Sequence, residues 1–513
     1  MANLDEQEFE EEEAEEVEEA EEDLLDESEQ SQTMDAEDTG AKEQQPSQDM
    51  PPSAMTVSLS ANDPSGIATP RFRLMHNAIL QRDVSDAEVL KPRVSFSPQL
   101  RALDWVANVD PQKLDLDEDN PSDDEAQPAY LYRYALATLW FSTHAREDGR
   151  DATAEPASEE DALRDFQFVP WSDERGWMSG AAVCFWSGIK CGNGVPHEID
   201  LTNFALDGTI PRELFTVLNR SISSLRLARN KLRGTLSEDV GRMQSLMILD
   251  LQENPDLEGA IPRSLFYSMP GLRKVRLGQC SFSGDVPEIN WPDLEVLDMA
   301  WLGLTGTLPR SISNSKNLRV LTLSGNSLTG NLPDVSGMDD LIYLELDQNK
   351  FTGSLYADLP QSLVALLLQR NELTGSIPER MVQHDLLEEL VLGYNNNLSG
   401  PIPASFSLPK LRLLRLSNNA FEGSLPWEKL TTYETLESIE LAENDRFGGT
   451  ISGDFSRLVN LKHLSIFHTR ITGTIPESIC ALVDDQSLEV LTTVCGDELP
   501  LVECNCCAEC WDG

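Results

Sequence analysis

Residues 318–333 read LRVLTLSGNSLTGNLP, 363–378 read LVALLLQRNELTGSIP and 411–426 read LRLLRLSNNAFEGSLP. The shared frame, L-x-x-L-x-L-x-x-N-x-L-x-G-x-(I/L)-P, constrains this chain more than any other feature, because a repeat of this length dictates a solenoid. Its second strand leucine recurs at Leu201, Leu227, Leu251, Leu277, Met299, Leu323, Leu346, Leu368, Leu392, Leu416, Leu441 and Ile466, twelve times at intervals of 22 to 26 residues. The alternating leucines predict a short strand whose apolar side chains point inward. The Asn that follows (Asn230, Asn254, Asn326, Asn349, Asn371, Asn395, Asn419 and Asn444) falls where the chain turns into the solenoid. There its carboxamide can pair backbone groups of neighbouring coils that burial would otherwise strand. The Gly permits backbone angles closed to other residues. One coil cannot bury its own leucines, so stability comes from stacking.

The frame resembles the plant-type leucine-rich repeat of receptor-like proteins and of inhibitors of cell-wall enzymes. CFWSGIKC at 184–191 resembles the C-x-W-x-G-(V/I)-x-C front cap of that family, with Trp171 and Trp177 upstream. SPQLRALDWVANVDPQKLDL (97–116) and YLYRYALATLWFSTH (130–144) are similar to the helical lead-in of diatom-type members, as is the Cys-rich tail. Ser97-Pro98 is a helix start on its own chemistry. The resemblance implies an α/β solenoid: a right-handed superhelix of about twelve coils with a parallel concave sheet and stapled caps. We expect a disordered acidic region over 1–95, a lead-in and front cap over 96–196, the solenoid over 197–478 and a Cys-rich rear cap over 479–513.

The formal charge of −49 is unevenly spread: residues 1–95 hold 26 acids against 6 bases, leaving 62 against 33 in the rest. Like charges at the density of the first fifty residues repel and leave little apolar surface to offset chain entropy. Nucleic acid and anionic lipid are poor partners for such a surface. A basic partner for the acidic tail fits its chemistry. No secretory signal or membrane span is legible: Met1–Ala20 is mostly Glu, and the uncharged run Leu390–Pro409 contains three Asn and three Pro. Members with this lead-in often carry a transmembrane helix after an acidic cytoplasmic N-terminus. This sequence has the acidic segment without the span.

Nine cysteines are present. Cys280 takes the ladder position filled elsewhere by Asn. Cys184 and Cys191 lie in the front cap, and Cys480, Cys495, Cys504, Cys506, Cys507 and Cys510 lie behind the last repeat. An even number confined to the two ends suits disulfide-stapled caps and an oxidising compartment, and the expected front pair is Cys184–Cys191. Zinc is the alternative, but C-x-C-C-x-x-C lacks the spacing of common structural zinc sites. The sequons Asn219-Arg-Ser and Asn397-Leu-Ser are glycosylation candidates compatible with export.

No kinase, zinc-protease, hydrolase or P-loop signature occurs. The histidines are scattered; His463 and His468 could be close, but an exposed rim explains them better than a metal pair. No catalysis, metal or cofactor is expected. The resemblance implies a recognition module binding a protein, peptide or glycan, with a co-receptor as a further partner. An intracellular scaffold and an inhibitor of a secreted hydrolase are the alternatives. On the concave face, Arg226, Asp250, Arg276 and Asp298 alternate in sign and form a cross-strand charge ladder. Further along, Leu367 and Val391 should stand out in water, flanked by Trp301, Tyr343, Arg370 and Tyr394, with Gly325 beside Trp301. Patches rich in Trp, Tyr and Arg mark interfaces, so these six residues are the expected contact surface.

Overall fold

A computed structural model describes residues 69–87, 89–90, 97–112, 114, 129–144, 175–484, 487–493, 502–504, 506 and 509–510. The acidic stretch up to residue 68, Trp171, Cys495 and Cys507 lie outside the described residues, as does the side chain of Cys510. Numbering the coils 1 to 12 by the leucines above, each contributes a strand in register with the next, six residues long in coil 1 and three in the others. Leu321 of coil 6 pairs with Leu344, and Leu344 with Leu366. All three are fully buried. Each such side chain contributes roughly 1.5–3 kcal/mol by leaving water, which is why the alternation dictates the stack.

The concave sheet has fifteen strands. Its front edge is β1 (Ile189–Gly192), antiparallel to β2 (Val195–Asp200); the rest runs parallel. The sheet does not stop at the expected boundary of 478. Val490–Thr493 pairs with His463–Ser465, and Glu509–Cys510 pairs with Val490–Thr493, so two cap strands extend it. On the opposite side the L-x-G segments form a five-stranded and an eight-stranded parallel sheet. A single bridge, Thr307 to Thr329, joins the last strand of one to the first strand of the other. In that sheet the hydroxyls of Thr329, Thr352, Thr374 and Thr472 each donate to a glycine carbonyl one coil back, at 2.8–3.2 Å.

The asparagine ladder does what its position demands. Asn371 Nδ2 donates to the carbonyls of Leu346, Leu368 and Gln369, and Asn371 Oδ1 accepts from Phe351 N–H at 2.9 Å. One carboxamide thus satisfies two coils. Three coils add a residue after their Asn, and there the amide turns back on its own coil: Leu257 N–H to Asn254 O, Asn397 N–H to Asn395 O, Phe447 N–H to Asn444 O. The ladder residues that follow these coils are Cys280, Asn419 and Thr469. Cys280 Sγ donates to Leu251 O at 3.2 Å, and burial pushes its thiol up to about 12. Asn419 Oδ1 is buried with no partner. In coil 5 the ladder position is Leu302, which offers no amide.

The lead-in corrects the expectation for 69–87 and 89–90. Residues 70–81 form α1 (Pro70–Gln81), capped by Thr69, whose side chain accepts from Phe72 N–H. Phe72, Met75 and Ile79 are buried; the apolar spacing of these residues overrides the acidic average of the first 95. Then follow α2 (Pro98–Asp104), capped by Ser97 as expected, a π-turn over Trp105–Val109 and α3 (Ala129–Thr143). α3 ends against coil 1 at Gly208, where a Cβ would lie 1.8 Å from Ser142 O.

Arg133 of α3 joins lead-in to cap. It is 1% exposed and its guanidinium lies 5.0 Å from the Trp105 ring and 5.1 Å from that of Trp186. It donates to both oxygens of buried Asp110, at 2.6 and 2.7 Å, and to the carbonyls of Ser179 and Ala181. Burial lowers its pKa, and Asp110 opposes that shift. A second junction centres on Glu213 of α4 (Arg212–Val217), which accepts from Ser85 Oγ at 2.5 Å and from Gln99 Nε2 at 3.2 Å. Ser85 Oγ is also 2.7 Å from Tyr134 Oη. Arg212 pairs with Asp86 at 2.6 Å beside it.

Candidate functional site

The second residue after each strand leucine opens the turn at the C-terminal rim of the concave sheet. In all twelve coils that residue has φ between 48° and 67°. Left-handed backbone costs a non-glycine residue roughly 1–2 kcal/mol, and here eleven of the twelve are not glycine. The sheet ladder holds them there. Trp301 N–H donates to Ser324 O, Arg370 N–H to Gly393 O and Tyr394 N–H to Ser417 O, each into the next coil.

Glycine occurs once in this rim column, at Gly325. Its φ of 67° does not explain the choice, since side chains are tolerated at its eleven counterparts. The neighbouring side chain does. The Trp301 indole lies across Gly325, where a Cβ would meet Cδ2 and Cε3 at 2.4 Å. Trp301 remains 52% exposed, so the ring is a shelf with one face on backbone. Further along the same rim, the Arg370 guanidinium sits 4.7 Å over the Tyr394 ring.

The remaining expected contact residues are less open than the sequence suggested. Tyr343 and Val391 are buried and Leu367 is half-buried. The expectation that Leu367 and Val391 stand out in water is therefore corrected. Adjacent coils sit about 4.8 Å apart, and side chains in register cover one another: Tyr343 has Val320 and Ala365 as its strand neighbours, and Val391 has Leu367 and Arg415. Arg370 and Tyr394 are brought together; Trp301 stands three coils away from Arg370 along the rim.

Both ends of the concave face carry ion pairs. Arg226 reaches Glu198 at 3.2 Å and Arg276 reaches Asp250 at 4.0 Å. Burial raises the Asp250 carboxyl, with Arg276 opposing. At the far end Arg412 bridges Glu389 and Glu437, and Arg415 meets Glu440 at 2.9 Å. His468 Nδ1 is 2.6 Å from Glu443 on the exposed rim, while half-buried His463 has its pKa lowered by burial. Among the described residues no group of three His, Cys, Asp or Glu is placed to hold a metal. Between the paired ends, coils 5 to 8 place Val296, Val320, Tyr343 and Ala365 in one column, and the next runs Asp298, Thr322, Glu345, Leu367 and Val391 over coils 5 to 9.

Cys184–Cys191 closes the front cap, Cys480–Cys506 ties the rear cap, and Cys504 is also disulfide-bonded. Cys280 is free and buried. Of the two sequons, Asn397 is exposed and Asn219 is half-buried. No helix among the described residues is long and apolar enough to cross a membrane.

Comparison with known proteins matches this architecture. The Leucine Rich Repeat family model fits residues 317–337 and 460–482. Receptor-like protein 18 of Arabidopsis thaliana is 32% identical over 299 residues, covering 55% of this chain and 35% of its own length. Pollen receptor-like kinase 2 of the same plant is 33% identical over 171 residues, covering 33% and 25%. Among solved structures, the PEPR1–AtPEP1 crystal structure superposes with a TM-score of 0.51 at 29% identity, over 58% of this chain and 42% of that one. The chain spans between a quarter and about a third of the length of these curated relatives. The frame, the stacked parallel sheet and these likenesses agree on one architecture: a leucine-rich-repeat solenoid similar to those of plant receptor-like proteins.

Proposed function

We propose that this protein is a non-catalytic recognition module that holds a protein, peptide or glycan ligand on the middle of its concave sheet. One observation carries the reading: the inner columns change from ion-paired at both ends to mostly uncharged between coils 5 and 9, with Trp301, Arg370 and Tyr394 along the adjoining rim. Uncharged surface rimmed by Trp, Tyr and Arg is the composition of binding patches. The likeness to receptor-like proteins supports the same reading. The cap disulfides support a ligand met in an oxidising space.

The test is site-specific photo-crosslinking in secreting plant cells. A photoreactive residue at Leu367, on the concave strand, should give a discrete adduct. One at exposed Val459, in the loop that returns toward the next strand, should not. Equal labelling at both positions, or none at Leu367, overturns the assignment.

A further inference from the structure

We propose that the Trp301 shelf is a subsite for a cationic side chain, so that the ligand presents an Arg or Lys where it crosses coils 5 and 6. The inference rests on the concave face being the ligand surface, and it deepens that reading.

Three observations lead here. The first is the shelf itself. Glycine stands under the indole although the rim backbone accepts side chains everywhere else. Its effect is to let the ring lie flat with its outer face in solvent. The second is how this molecule fills three of its other aromatic faces. Arg133 lies against Trp105 and Trp186 in the cap, and Arg370 lies over Tyr394 on the same rim as Trp301. In the rim pair the cation comes from the adjacent coil. The residues adjacent to Trp301 in that column are Gln279 and Gly325, which carry no charge. Among the described residues no cation lies over the indole. Tryptophan is the best aromatic partner for a cation, and among the described residues this is the exposed one.

The third observation is charge. The chain is −49 overall, and residues 175–484 alone hold 36 acids against 27 bases. Asp298, Glu345 and Asp347 occupy the concave columns of coils 5 and 7, on either side of the shelf's neighbour coil. Such a field draws cations toward the face and repels anions. An aromatic plane in an acidic surround selects a guanidinium or ammonium over a neutral or acidic group.

The experiment uses the full chain with 5-fluorotryptophan, whose nine sites are resolved by fluorine NMR. The Trp301→Ala variant assigns its signal. Titration with N-acetyl-Gly-Arg-Gly-amide and its Lys analogue should shift the Trp301 signal, and raised salt should weaken the effect. The Gln analogue should bind about two- to fivefold more weakly, the fold-change that matches an exposed cation–π contact. Gly325→Asn should abolish the response without changing the fold, because Asn203 and Asn418 hold the same backbone conformation in coils 1 and 10. Equal shifts from the Gln peptide, or an unmoved Trp301 signal, overturn the proposal. Selective response to a neutral oligosaccharide such as laminarihexaose overturns it too. In each of those cases a concave adduct at Leu367 would leave the broader recognition reading standing.

Discussion

Replacing Arg133 by Met tests whether the lead-in is part of the fold or an appendage. The guanidinium makes two bonds to Asp110, two to carbonyls and two ring contacts, all in a site where both charges are 1% exposed. Removing one partner of a buried pair leaves the other charge uncompensated, which costs about 3–5 kcal/mol. In a solenoid that cost stays local, since each unit touches only its neighbours. Hydrogen exchange should therefore accelerate in α3 and over 177–200, by roughly a hundredfold to several thousandfold at 1.36 kcal/mol per tenfold. Coils 6 to 9 should exchange as before. Arg133→Met with Asp110→Asn should recover most of the loss, because the stranded charge is gone. Acceleration below tenfold in the cap, or equal acceleration throughout, would refute the reasoning.

Other measurements follow from the same geometry. Asn371→Ala strands three carbonyls and one amide and should cost at least about 2 kcal/mol in denaturant unfolding; Asn419→Ala should cost about 1 kcal/mol less, since Asn419 Oδ1 has no partner to lose. Burial holds the Glu213 carboxyl above its ordinary value, against bonds from Ser85 and Gln99 that lower it. Its protonated form is thus the one the fold favours, so that contribution is full below the unfolded value of about 4.3 and lost as pH rises through the folded one. Glu213→Gln should match or exceed wild type in melting temperature at pH 7.5 and lose that advantage toward pH 4. Cys280 should resist thiol reagents in the folded protein, and a count on unfolded, unreduced protein should find one thiol, four disulfides holding the rest. Deleting residues 69–90 should lower the melting temperature by several degrees, because Phe72, Met75, Ile79 and Ser85 leave the core.

The solenoid was legible because its rule is local: leucines two and three apart, then an Asn, repeated until a stack is the only way to bury them. Three features were not, each for a physical reason. The helix over 70–81 is amphipathic on a single face, and averaging it with the acid-rich first fifty residues hid the pattern. The cap strand at 490–493 keeps only Leu488 and Leu491 of the frame, with Thr493 where the third leucine would stand, and 509–510 keeps none of it; their pairing comes from the open edge of the sheet. The burial of Tyr343 and Val391 depends on what stands one coil to either side. The rim was half legible. Trp301, Arg370 and Tyr394 could be placed from the repeat, but the stacking of Arg370 on Tyr394 depends on lateral contacts that no single coil reveals.

The extra residues of coils 3, 9 and 11, with Leu302 in coil 5, have a mechanical consequence. Where an amide turns back on its own coil, or the next ladder residue offers no carboxamide, two coils lose a fastener. Every junction from coil 5 to coil 9 keeps it, through Asn326, Asn349, Asn371 and Asn395. Pulled from its ends, the solenoid should tear first at the junctions between coils 3 and 4, 4 and 5, 9 and 10, and 11 and 12. What survives intact is a five-coil plate running from Trp301 to Tyr394. The surface with the strongest case for touching a partner is also the one whose spacing tension disturbs last.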